Sequence, residues 1–98
     1  MKLSIIANPV AGGGRAYRSI QDHVRHWPHP EWEVEILTTR SRNHAGLLAQ
    51  ELVSHPPDVL AICGGDGTVN EIATHVPQPT YPIAILPAGT ANVLAFYK

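Results

Sequence analysis

From Leu3 to Ala7 the chain is mostly apolar, and Asn8-Pro9 ends the run. A short block of this kind fits a buried strand. Between Arg15 and Trp27 the period changes. Ala16, Ile20, Val24 and Trp27 recur at helical spacing, as on one face of a helix lying on a core, and Pro28 stops the pattern. From Trp32 to Thr38 apolar and polar residues alternate, with Trp32, Val34 and Ile36 opposed to Glu33 and Glu35, which predicts a half-exposed strand near a sheet edge. Ala45, Leu48, Ala49 and Leu52 make a second helical stripe, with Asn43 placed to cap its start, a run to about Ser54, and Pro56-Pro57 closing it. Val59 to Cys63 is a third strand. Val69, Ile72, Ala73 and Val76 mark a third helix, ended by Pro77. Ile83 to Leu86 reads as a fourth strand, and a further helix starts near Thr90.

Strand and helix therefore alternate along one domain-sized chain, residues 1–98. The order predicts an α/β fold: a three-layer, doubly wound, Rossmann-like and mainly parallel sheet with helices on both faces. In such sheets ligands sit beyond the carboxyl ends of the strands. The unusual residues gather there. Strand one leads into Asn8-Pro9 and Gly12-Gly13-Gly14, read as a flexible loop. Strand two leads into Thr38-Thr39 with Arg40 and Arg42, strand three into Gly64-Gly65-Asp66-Gly67-Thr68-Val69-Asn70-Glu71, and strand four into Pro87-Ala88-Gly89-Thr90-Ala91-Asn92.

Glycines around the single carboxylate of Asp66 let backbone approach a ligand, and amides at a helix start favour anions. The run points to a phosphate site with chemistry. Two familiar nucleotide signatures fail. No G-x-x-x-x-G-K-[ST] is present, Gly12-Gly13-Gly14-Arg15-Ala16-Tyr17 lacks the third glycine of a dinucleotide loop, and strand two ends in threonines rather than an acid. Composition changes the picture little. At 44% hydrophobic and 15% charged the chain reads as soluble and globular, and a net charge of −1 gives no support for a nucleic-acid partner. Six scattered histidines and one cysteine make no zinc pattern, and Cys63 reads as a small buried residue in a reducing compartment. No apolar stretch is long enough to span a bilayer, and Asn8-Pro9 interrupts the first apolar run too early for a signal peptide. A cytoplasmic protein is expected.

Together the loops resemble the catalytic domain of diacylglycerol kinases, a family that includes sphingosine and ceramide kinases and is more distantly similar to NAD kinases. The matching pieces are Asn8-Pro9 with its glycines, Thr39 with Asn43-His44-Ala45, Gly64 to Glu71, and Leu86 to Asn92. The last of these tilts the match towards lipid kinases. Val93 stands where the family often has an acid. The resemblance implies an ATP-dependent lipid kinase that transfers the γ-phosphate to a lipid hydroxyl. It implies ATP and Mg²⁺ as cofactors, a lipid acceptor as partner, and a location peripheral to the membrane. Nucleotide contacts are implied at Asn8, Thr39, Gly64, Gly65, Asp66, Gly67, Thr68, Val69, Asn70 and Thr90. Asp66 is the implied catalytic residue and an indirect metal contact, through Mg²⁺-bound water or ATP. Such kinases have a second, mainly β-sandwich domain carrying much of the lipid pocket and the general base. The chain is accordingly expected to be an N-terminal nucleotide-binding domain truncated after Lys98, inactive or nearly so alone, with membrane contact through the missing domain. Apolar surface near the last strand would favour a homo-oligomer.

Plainer roles stand beside these. Asp66 or Thr68 can cap the following helix, and Asn-Pro is an ordinary strand terminator. Glu71 can pair with Arg15 or face solvent, arginines in loops are usually solvated, and His44 reads as structural. Two rival functions are a soluble-metabolite kinase of the NAD kinase type and a non-catalytic nucleotide-binding module.

Overall fold

Strands separated by helices return to the same end of a sheet, so the predicted alternation commits the chain to parallel pairing. The computed structural model describes residues 1–87 and contains that alternation. Its elements are β1 Lys2–Ala7, α1 Arg15–Arg25, β2 Glu33–Thr38, α2 His44–Glu51, β3 Val59–Gly64, α3 Asp66–His75 and β4 Ile83–Pro87. The helix expected near Thr90, and Thr90 itself, lie outside the described residues.

All strand pairs are parallel, and the sheet order is β2-β1-β3-β4. The chain moves outward from β1 to β2, then crosses back over β1 to β3 and on to β4. With right-handed crossovers that reversal sends α1 to one face and α2 and α3 to the other. The packing agrees. Ile5, Ala7, Ala61, Cys63 and Leu86 pack with Ala16 and Ile20 of α1. Ile6, Leu60 and Ile62 pack with Ala45, Ala49 and Leu52 on the α2 side and with Ile72 and Val76 on the α3 side. Three layers result. As a central strand β1 is covered on both faces, and Ile5, Ile6 and Ala7 are fully buried. β2 is the edge strand its alternation predicts. Val34 and Ile36 pack towards α1, and Leu37 towards α2 and α3. On the Leu37 face Glu35 accepts a hydrogen bond from the buried Ser4 hydroxyl at 2.8 Å and lies 3.5 Å from Lys2 Nζ.

Several boundaries differ from the sequence reading. Helix α1 stops at Arg25 rather than Trp27, and α2 at Glu51, with turns carrying the chain on to Ser54. Helix α3 begins at Asp66, well before its first apolar position. Ala73, assigned to its buried stripe, is exposed, because Ile72 and Val76 already fill the facing core. The glycines after β1 form a short 3₁₀ turn, Ala11–Gly14, not an open loop. Gly14 has φ +81°, and a Cβ there would lie 3.2 Å from the Pro9 carbonyl oxygen, which explains a glycine at the entrance to α1.

On the α2–α3 face the Tyr81 hydroxyl donates to the Ala49 carbonyl at 2.9 Å, and burial pushes its pKa up. The far edge is less covered. Ile83 and Ile85 of β4 stay 37% and 55% exposed, forming apolar surface at the last described strand.

Helices α2 and α3 meet where Gly46 faces His75. A Cβ on Gly46 would fall inside van der Waals contact of the imidazole. The His75 ring is tied down as well, its Nδ1–H donating to the Glu71 carbonyl at 2.9 Å. Gly46→Ala is therefore expected to lower stability by about 1–3 kcal/mol, as overpacking does. Urea unfolding checks this, and an unchanged midpoint would refute the tight helix contact.

Candidate functional site

The parallel ladder does not end at the strand boundaries. The Asn8 N–H donates to the Cys63 carbonyl at 3.3 Å and the Thr39 N–H to the Ala7 carbonyl at 2.9 Å. These bonds set Asn8 and Thr39 on the carboxyl rim on either side of the β1 ladder. A cavity of about 350 Å³ opens there, lined by Asn8, Pro9, Val10, Thr39 to Arg42, Ala45, Thr68 and Glu71. Its walls come from the loops after β1 and β2, from the start of α2, and from α3. It lies at the sheet's topological switch point, where doubly wound folds hold their ligands.

Each wall is built by local chemistry. Asn8 makes an Asx turn, its Oδ1 accepting from the Val10 N–H at 3.1 Å. Asn43 occupies the position before α2, but not as the side-chain cap that its residue type predicts. Its φ is +66°, no capping bond is formed, and its carbonyl accepts from the Leu47 N–H at 3.1 Å. The left-handed conformation is one that asparagine tolerates, and it reverses the loop into the helix. His44 accepts from the Arg40 N–H at 2.9 Å through Nδ1.

At the β3–α3 turn Gly65 is the N-cap residue, and no side chain caps the helix. Neither Asp66 nor Thr68 plays the capping role open to it from sequence. Asp66, Gly65, Gly67 and Asn70 are exposed. Gly64 is buried, and a Cβ there would lie 2.6 Å from Thr68 Oγ1, so glycine leaves room for Thr68 to line the cavity. Val69 packs against the core, and its N–H donates to the Gly65 carbonyl at 3.3 Å.

The diacylglycerol kinase catalytic domain profile matches residues 2–97. The chain belongs to that family. It is similar to a diacylglycerol kinase of Staphylococcus haemolyticus (strain JCSC1435), with 31% identity over 90 residues, 90% of this chain and 27% of that protein. A diacylglycerol kinase of Mycobacterium tuberculosis (strain ATCC 25618 / H37Rv) is 26% identical over 91 residues, covering 93% of this chain and 29% of its own. The fold matches the crystal structure of a diacylglycerol kinase from Bacillus anthracis str. Sterne with a TM-score of 0.68 and 32% identity, over 91% of this chain and 33% of that one. The chain thus spans about a third or less of the length of these relatives.

Of the residues singled out in the sequence of this diacylglycerol kinase-family domain, the cavity brings together Asn8, Thr39 and Thr68. Gly64, Gly65, Asp66, Gly67, Val69 and Asn70 stand beside it on the β3–α3 turn and are not part of its lining. Arg40 and Arg42 are exposed, as loop statistics predict, and they also line it. Neither forms an ion pair among the described residues. Glu71 also lines it, and makes no pair with Arg15 there. The signal for that wall was topology, since Thr39, Arg40 and Arg42 follow the carboxyl end of strand two. No group of three or more His, Cys, Asp or Glu suited to a metal occurs among the described residues, nor does a helix long and apolar enough to cross a membrane.

Cys63, the last β3 residue before Gly64, is buried, and desolvation raises its thiol pKa. It is expected to hold less thiolate than free cysteine at pH 8 and to label with a thiol reagent far more slowly in the native state than in denaturant. Equal rates would mean that the β3 end is open to solvent.

Proposed function

We propose that this domain supplies the ATP-binding half of a lipid kinase that moves the γ-phosphate of ATP onto a lipid hydroxyl. Residues 1–98 act on this reading as the nucleotide-binding domain, with the acceptor pocket and the general base elsewhere in the working enzyme. Membrane contact belongs with that acceptor side. One observation carries the reading: the cavity at the switch point joins the hydroxyls of Thr39 and Thr68 to the cations of Arg40 and Arg42, beside an uncapped helix start. Hydroxyl donors, guanidinium groups and free helix amides are all suited to phosphate oxygens. Family membership supports ATP as the phosphoryl donor.

Phosphoryl transfer needs positioning and charge stabilisation more than covalent help from the protein. Thr39 and Thr68 would orient the nucleotide, and Asn8 would fix the β1 loop against it. Gly64, Gly65 and Gly67, with the backbone of Val69 and Asn70, would let phosphates approach the start of α3. Thr90, outside the described residues, would add a hydroxyl contact to the nucleotide.

The donor set fits Mg²⁺ held chiefly by the nucleotide. Asp66 is a single exposed carboxylate at the first turn of α3. Mg²⁺ commonly keeps several waters and takes one or two carboxylates together with substrate phosphates. Asp66 would hold it through water, and the bound ion would neutralise phosphate charge. The alternative role for Asp66 is to polarise the attacking hydroxyl.

In the enzyme that carries this domain, Asp66→Ala is expected to lower turnover with ATP and a mixed-lipid acceptor roughly a hundredfold or more. Radiolabel transfer to lipid measures it. A loss below about tenfold would remove Asp66 from a direct role. Phosphorylation of NAD in place of lipid would support the NAD kinase type, and full activity in the variant a non-catalytic module.

A further inference from the structure

We propose that His44 is a positioning residue that latches the β2–α2 loop along the cavity. What the loop touches rests on the nucleotide reading above, whereas the latch itself is a contact within the loop. The β2 ladder ends at Thr39, whose N–H is taken by Ala7. The next amide, that of Arg40, is met by His44 Nδ1 at 2.9 Å. Between them Ser41, Arg42 and Asn43 turn back, with the His44 N–H reaching the Ser41 carbonyl at 3.3 Å. Asn43 is the sole non-glycine residue with positive φ among the described residues, so the loop doubles back sharply just before the imidazole.

An imidazole nitrogen accepts only with a free lone pair, so the latch needs a ring with Nδ1 unprotonated and its proton on Nε2. His44 is half-buried and does not line the cavity, while Arg40, Ser41 and Arg42 do. The ring therefore acts through the loop rather than on a ligand. The bond is exposed, so water can replace it, and its loss costs loop order rather than a buried unsatisfied group.

Arg40 and Arg42 are also trypsin sites, and limited digestion reads the latch without nucleotide. His44→Ala is expected to speed cleavage after Arg40 and Arg42 roughly three- to tenfold, the range set by one net hydrogen bond. In the full enzyme it should weaken ATP binding by a similar factor in calorimetry, with kcat changed less than about twofold. His44→Asn, whose Oδ1 can replace Nδ1 as acceptor, should restore both to within about twofold of the parent. His44→Leu keeps bulk without the acceptor and should not. Parent-like cleavage in His44→Ala, or rescue by His44→Leu, would overturn the latch. Faster cleavage with unchanged ATP affinity would uphold the latch and overturn the nucleotide reading.

Discussion

The rim of this domain depends on the double pairing of β1. Ile5 sits in register with Ile36 of β2 and Ala61 of β3, and Ala7 with Thr38 and Cys63. A slip by one residue would turn Ile6 away from α2 and α3 and bring Ile5 and Ala7 to their side. All three are fully buried, so both faces resist that slip. The same register carries past the strand ends, where the Ala7 carbonyl holds Thr39 and the Cys63 carbonyl holds Asn8. The position of the cavity is thus inherited from the core.

Charge is arranged unevenly around this frame. Lys2 pairs with Glu35, and the His26 and His29 rings lie 3.7 and 3.6 Å from the carboxylates of Asp22 and Glu31, all towards the amino ends of the strands or the far end of α1. At the carboxyl rim Arg40 and Arg42 stand without an ionic partner among the described residues. Unpaired cations near helix amides suit an anionic ligand better than they suit stability, since surface pairs contribute little in any case. Family membership in the diacylglycerol kinases and the local chemistry of the cavity therefore point the same way.

The strands and helical stripes were legible because burial imposes a period, and Ile6, Ile20, Ala49, Ile62 and Ile72 all fall where that period puts them. Boundaries were less legible. Nothing apolar marks the first turn of α3, so only the capping types of Asp66 and Thr68 pointed to a helix start in the glycine run, without fixing which residue begins it. The residue type of Asn43 suggested a cap, whereas its left-handed backbone is fixed by loop closure, which residue type does not report. Asn8, Thr39 and Thr68 could be placed on one rim because topology puts strand ends together. Arg40, Arg42 and Glu71 were placed on the same rim, but that their side chains line the cavity was not legible, because the direction of a charged side chain is set in three dimensions.

The glycine at position 46 has a mechanical consequence. Glu71 forms part of one wall, and its carbonyl holds the His75 ring that rests on Gly46. Gly46 lies two residues beyond His44 on the helix that follows the opposite wall. With no side chain to act as a cushion, the two helices are geared to each other. Their spacing is fixed by backbone against ring, so the separation of the two walls is set by this one contact.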